Sequence, residues 1–205
     1  MKIIKKPLPA TEYNKLEYDQ YGMKTKTLIV LHHTVSSTES SVYNWWCNDG
    51  QKVGVAYVVD KNGSIYEYFG PKYWSYHLGG KIEKKYNINS IGIEIVNEGV
   101  LKKIDEKFFW FAGKNKYSGG VFKFKWRNEE YWAEYPTKQI EAVVELVKYL
   151  TAKFNIPKNV YTKYDYNSKL LTTFKGIISH CNVRANKTDI SPAFNLEYLQ
   201  NEILK

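Results

Sequence analysis

The sequence predicts an α/β fold, a single domain with a central mixed β-sheet flanked by helices. Three observations predict it. Apolar runs of strand length alternate with stretches of helical periodicity. Two of the runs are joined by a hairpin-type turn, so the sheet is not strictly parallel and an α+β arrangement stays open. The 205 residues, 43% hydrophobic and 25% charged, suffice for one core that needs no staples.

Strands are expected at Thr27–His33, Gly54–Asp60, Ser64–Phe69, Ile91–Val96 and Lys175–His180, where β-branched and aromatic residues cluster. Lys61-Asn62-Gly63 joins the second to the third, because Asn-Gly tolerates the positive φ of such turns. A short helix is expected over Ser40–Cys47. A longer one has Thr137 as N-cap after Pro136, apolar Ile140, Val143, Val144, Val147 and Leu150 at helical spacing, and Pro157 beyond its end. A third follows Pro192, with Phe194, Leu196, Leu199 and Ile203 as its spaced apolar positions. The expected domain spans residues 1–205, with an inserted basic, aromatic hairpin or loop at about 100–135 in which Gly119-Gly120 forms a turn. No internal repeat or low-complexity tract interrupts it.

Thirty Lys and Arg against 21 Asp and Glu give a formal charge of +9, which favours anionic partners without choosing among nucleic acid, acidic lipid and an anionic wall. Lys102, Lys103, Lys107, Lys114, Lys116, Lys123, Lys125 and Arg127 place much of that excess in the insertion, a candidate docking surface. Two cysteines, Cys47 and Cys181, are too few for a disulfide framework and are expected as free thiols. The N-terminus, residues 1–20, has no apolar run long enough for a signal peptide, and no later stretch is apolar enough to span a bilayer. Synthesis in the cytoplasm is the expectation.

The apolar strand ending in His32-His33-Thr34 places imidazoles where a buried strand emerges, and another strand-like run ends in His180, nine residues before Asp189. Two imidazoles and a carboxylate, with a fourth position for water, suit a catalytic zinc site. Histidines at strand ends also serve as hydrogen-bond partners of turns, and spacing leaves both readings open. On a strand, the side chain of His33 points away from that of His32.

Five ordered segments resemble the zinc-dependent N-acetylmuramoyl-L-alanine amidases, the family of phage endolysins, bacterial amidases and peptidoglycan recognition proteins. They are Ile29–Thr34, Val58–Ile65, Trp74–Gly79, Asn89–Glu94 and His180–Phe194, which cover most of the chain outside Val100–Tyr135. The resemblance implies one Zn²⁺ held by His32, His180 and Asp189 in a cleft at one sheet edge. It implies hydrolysis of the amide between N-acetylmuramic acid and L-alanine, with peptidoglycan or muropeptides as partners.

By the same resemblance Glu94, in the Ile-Gly-Ile-Glu pattern, is the general base and later proton donor. Its place on the strand, opposite in phase to Ile91, Ile93 and Ile95, equally suits an exposed carboxylate. Lys187, in the Lys-x-Asp match, stabilises the tetrahedral intermediate. In an extended segment its side chain shares a face with Asp189. His77 and Trp74 match a cleft-lining Trp-His stretch, although two residues separate them here, and Asn89 heads the fourth match; all three are expected substrate contacts. Many relatives have Tyr-His before the Asp-Gly turn where this chain has Val55 and Ala56, which are expected to alter substrate fit.

Other readings compete with this one. A binding-only peptidoglycan module keeps the cleft without turnover, and a cytosolic muropeptide-recycling amidase fits a signal-less chain as well as an endolysin released with a membrane-permeabilising protein does. A thiol hydrolase on Cys181 and His180 is disfavoured, because neighbours on a strand point to opposite faces. Alternating aromatic and basic residues in the insertion can bind nucleic acid. A packed hairpin is preferred, no nucleic-acid partner is expected, and the chain is expected to be a monomer.

Overall fold

The computed structural model describes residues 1–9, 26–48, 53–71, 73–79, 82–111 and 113–205; the remainder of the N-terminal segment read for a signal peptide lies outside them. The described chain opens with β1 (Ile3–Lys5) and β2 (Leu28–His33), then α1 (Glu39–Asn48), β3 (Tyr57–Val59), β4 (Ile65–Glu67), α2 (Lys84–Ile88) and β5 (Ser90–Ile95). Five strands follow in succession: β6 (Val100–Ile104), β7 (Lys107–Trp110), β8 (Asn115–Tyr117), β9 (Val121–Trp126) and β10 (Glu129–Ala133). Then come α3 (Thr137–Phe154), α4 (Leu170–Thr173), β11 (Gly176–Ser179), α5 (His180–Val183) and α6 (Leu196–Leu204).

The main sheet has the order β1-β4-β3-β5-β2-β11, with only β4 antiparallel to its neighbour β3. It is the expected mixed sheet. Every residue of β2 is buried, because both faces are covered. Ile29 and Leu31 pack with α3 and α6, while Leu28 and Val30 pack with Leu78, Leu170 and Val183. Period-2 alternation therefore sends His33 to the α3 side and His32 to the other. In α3 the buried residues Val143, Val144, Val147 and Leu150 form the predicted stripe, each contributing roughly 1.5–3 kcal/mol by burial. Its N-cap is Pro136 instead of Thr137, and Asn155 closes it in the left-handed conformation. In α6, Asn195 Oδ1 caps by accepting from the Tyr198 amide at 2.8 Å.

Two expected boundaries shift. β3 starts at Tyr57, so Val55 and Ala56 precede the strand as buried residues. The run expected to stay extended through His180 turns helical one residue earlier: β11 ends at Ser179, whose amide donates to the Asn182 side chain at 2.8 Å, and His180 opens α5. The turn between β3 and β4 uses positive φ at Gly63 (86°), while Asn62 keeps negative φ.

The expected hairpin or loop of the insertion is a sheet of its own, order β8-β7-β6-β10-β9. Two of its turns, Asp105-Glu106 and Arg127-Asn128, have positive φ at both central residues, the geometry of tight hairpins. Gly119-Gly120 is not a hairpin turn but part of a three-residue link between the two edge strands, β8 and β9. A link that short spans on the order of 14 Å, so the sheet is curled. Leu101, Trp132 and Ala133 anchor it in buried positions, and the Asn97 side chain donates to the Ala133 and Glu134 carbonyls at 3.2 and 3.1 Å.

Lys26, just before β2, is buried, and its Nζ donates to the carbonyls of Tyr73, Ile88 and Ser90 at 2.9, 2.7 and 3.0 Å. Burial pulls its pKa down from 10.5 to about 7. The unfolded chain therefore holds more protons between these values, and stability rises as pH climbs from about 7 towards 10. Urea midpoints should show wild type gaining on the order of 1–2 kcal/mol between pH 7 and 9. Lys26→Met should abolish this gain and, by removing the two N–H donors the neutral amine keeps at pH 9, lower stability there by about 2 kcal/mol.

Candidate metal centre

The parallel register of β5, β2 and β11 brings the site together. His32 pairs with Glu94 across β2 and β5, and one step beyond the Leu31–Ser179 pair the chain reaches His180. Asp189 is returned to His180 by a backbone hydrogen bond, Cys181 N–H to Asp189 O at 2.5 Å. Asn182 secures α5 from below, its side-chain amide donating to the carbonyls of Lys163 and Asp165 at 2.8 and 2.9 Å.

Three atoms converge at the C-terminal ends of these strands. His32 Nδ1 lies 3.0 Å from His180 Nδ1 and 3.1 Å from Asp189 Oδ2, and His180 Nδ1 lies 2.9 Å from the same oxygen. The other ring nitrogens assign the tautomers. His180 Nε2 lies 3.2 Å from the carbonyl of Leu78, which can only accept, so Nε2 carries the proton. His32 Nε2 lies 3.0 Å from His77 Nδ1; His77 Nε2 lies 2.8 Å from Ser90 Oγ, which donates to the Tyr86 carbonyl at 2.6 Å. Reading that chain back from the carbonyl, each group accepts from the next, so His77 Nε2–H donates to Ser90, His32 Nε2–H donates to His77 Nδ1, and His32 Nδ1 is left as a bare lone pair. Two imidazole lone pairs and a carboxylate oxygen thus face one another with no proton between them.

Such a set fits a cation. Atoms bound to a tetrahedral zinc at about 2.0–2.1 Å sit roughly 3.3 Å apart, close to the spacing here. The three side chains are buried and form the cluster of metal-binding type among the described residues. Burial and the nearby His180 lower the pKa of His32 to about 4. For Asp189 burial acts upward, but His180 and His32 outweigh it and hold the carboxyl well below its usual range. Both groups are therefore ready as ligands at neutral pH.

The cluster floors a cleft of about 300 Å³ that also exposes Glu94, Lys187, His77 and Val55. Glu94 Oε2 is buried without a hydrogen-bond partner. Burial, then Asp189, raises the Glu94 pKa well above the carboxylate norm, with Lys187 opposing. His77 is held by Asn87 Oδ1, which accepts from its amide at 3.0 Å, and it lies over Gly92, where a Cβ would come within 3.1 Å of the His77 ring and 2.7 Å of Val55. Its ring lines the cleft and is engaged at both nitrogens, by His32 and by Ser90.

The remaining expected contacts fall elsewhere. Trp74 is buried against Tyr76, their ring centroids 5.1 Å apart, and Asn89 caps α2 at the N-terminal end of β5, away from the cluster. Neither lines the cleft. His33 lies on the opposite face as expected, its Nδ1 3.1 Å from the Tyr135 hydroxyl. Cys181 follows His180 on a helical turn, not a strand, yet burial pushes its thiol up to about 12, which removes it as a nucleophile.

Residues 22–192 match the family model for N-acetylmuramoyl-L-alanine amidase. The chain belongs to that family. No curated protein sequence matches the amidase chain. Among solved structures it is similar to the N-acetylmuramoyl-L-alanine amidase LysC from Clostridium intestinale, at 17% identity, with 100% of this chain and 98% of that one covered and a TM-score of 0.57. A mutant endolysin from Bacillus subtilis aligns at 18% identity over 98% of both chains with a TM-score of 0.59. AmiD from E. coli, in complex with an anhydro-N-acetylmuramic acid peptide, aligns at 21% identity over 90% of this chain and 59% of its own, TM-score 0.55. At these identities the likeness is one of fold.

Arg127, counted with the basic surface in the sequence, turns inward instead. From the β9–β10 turn its Nη1 donates to the carbonyls of Ala185 at 2.6 Å, Arg184 at 3.5 Å and Lys187, and its Nη2 to Cys181 O at 3.0 Å. The guanidinium stacks 4.7 Å from the Trp126 ring. The insertion thereby holds the backbone between His180 and Asp189. Arg127→Ala should lower stability by about 1.5–3 kcal/mol, measured by urea denaturation, with Lys restoring only part because it lacks the planar fork. Elemental analysis should find one zinc per chain in wild type and none in His180→Ala, with circular dichroism confirming that the variant folds.

Proposed function

We propose that this amidase holds one Zn²⁺ on His32, His180 and Asp189 and hydrolyses the amide joining the lactyl group of N-acetylmuramic acid to L-alanine in peptidoglycan. The observation that carries the reading is the convergence of three lone pairs in a cleft that Glu94, with its unpartnered Oε2, also lines. A zinc bound there supplies Lewis acidity, making water nucleophilic near neutral pH and polarising a carbonyl.

Within that reading the chain's own residues do the following work. Glu94, with its raised pKa, takes a proton from the attacking water and returns it to the departing L-alanine amine. Lys187 brings positive charge to the same cleft, where negative charge grows on the carbonyl oxygen. His77 holds His32 in one tautomer, and Val55 forms an apolar wall where many relatives carry a polar side chain. We assign the wall of a bacterial cell as the place of action, in the manner of an endolysin or wall amidase, which the likeness to such enzymes supports.

Incubated with cell walls, the protein should release peptides bearing free N-terminal L-alanine, and a chelator should stop the release. Glu94→Gln should keep its zinc yet lose at least about 10²-fold in rate. An unimpaired Glu94→Gln, or binding of walls without any product, removes the proposed mechanism.

A further inference from the structure

The cleft continues past Glu94 into a second groove of about 410 Å³, which shares Glu94, Val35 and Trp46 with the first. Its walls come from two distant parts of the chain, Trp45 on α1 and Phe111 just after β7 in the insertion. Both rings face solvent, Trp45 at 70% exposure and Phe111 at 53%, on a molecule that buries most of its aromatic core. Phe111 is held there: its φ is 52°, the Trp110 ring meets it edge-on at 6.2 Å, and Lys114 Nζ lies 5.4 Å above its centroid. Val35, 44% exposed on the same groove, also has positive φ (49°), a conformation a β-branched residue rarely adopts. Two exposed apolar side chains kept in unfavourable backbone conformations around one groove mark a built surface.

The lining indicates the occupant. Besides aromatic faces it includes the hydroxyl oxygens of Thr34, Ser36 and Ser41, which bond within the chain to Ser36 O, Thr38 O and Thr38 Oγ1 and keep acceptor lone pairs, and its charged residue among those described is Glu94. A peptide stem ends in carboxylates and calls for a cation; among the described residues the lining itself carries none, and Lys114 lies over the ring of Phe111. A pyranose ring presents C–H faces to aromatic planes and neutral hydroxyl and acetamido edges to hydroxyl groups, so it matches both kinds of surface. We propose that the groove between α1 and the turn after β7 is a glycan subsite. It takes the sugar rings that flank the scissile N-acetylmuramic acid, with Trp45 and Phe111 as stacking platforms, and makes a glycan strand the substrate in preference to an isolated muropeptide. This inference rests on the amidase reading for the orientation of the strand.

Two measurements test it. A peptide-free tetrasaccharide of alternating N-acetylglucosamine and N-acetylmuramic acid, titrated into the zinc-loaded protein by calorimetry, should bind saturably to wild type and at least about tenfold more weakly to Trp45→Ala and to Phe111→Ala. Each substitution should also lower kcat/KM on polymeric peptidoglycan at least about tenfold more than on a single N-acetylmuramoyl peptide, chiefly through KM. Because both side chains are exposed, the variants should retain the wild-type melting temperature. Absence of tetrasaccharide binding, equal binding by the variants, or equal losses on polymer and monomer would overturn the subsite. If wild type cleaves neither substrate, the amidase reading fails while the titration still decides the subsite.

Discussion

Three electron-rich atoms held within 3.1 Å of one another repel unless a cation lies between them, and the surrounding structure is arranged to impose that proximity. The parallel strands set the spacing of His32 and His180, and the Cys181–Asp189 hydrogen bond closes the intervening loop. The His77–Ser90–Tyr86 chain and the Leu78 carbonyl decide which nitrogen of each ring is free. A change at any of these supports acts on the ligand set without touching a ligand.

The main sheet and long helices were legible because their residues obey simple periodicities, and both faces of β2 being covered explains its unbroken apolar run. The three converging residues were legible from ordered motifs; spacing by itself left His32 and His180 as ordinary strand-end histidines. The insertion was harder to read. Its tight turns are built on Asp105-Glu106 and Arg127-Asn128, which lack the glycine that announces such geometry. Arg127 looked like any other basic residue of the segment, since nothing local distinguishes a side chain that reaches backbone carbonyls 54 or more positions away. His77, Trp74 and Asn89 came from one shared stretch and its neighbour, yet the fold separates them: His77 lines the cleft beside His32, Trp74 packs on Tyr76, and Asn89 follows α2.

The charge of the insertion is also less available than composition suggests. Lys102 pairs with Glu129, Lys103 with Glu106 and Lys123 with Glu130, at 2.5, 2.7 and 3.2 Å, and Arg127 is turned inward. Exposed pairs of this kind add little stability, but they lower the local field an anion meets. Aromatic surface, not net charge, is then the more distinctive property of this face.

Arg127 joins the insertion to the ligand-bearing loop by four backbone carbonyls, and such a link works in both directions. The loop between His180 and Asp189 and the outer sheet that leads to Phe111 are thus braced at one residue, although nearly sixty positions of sequence separate them.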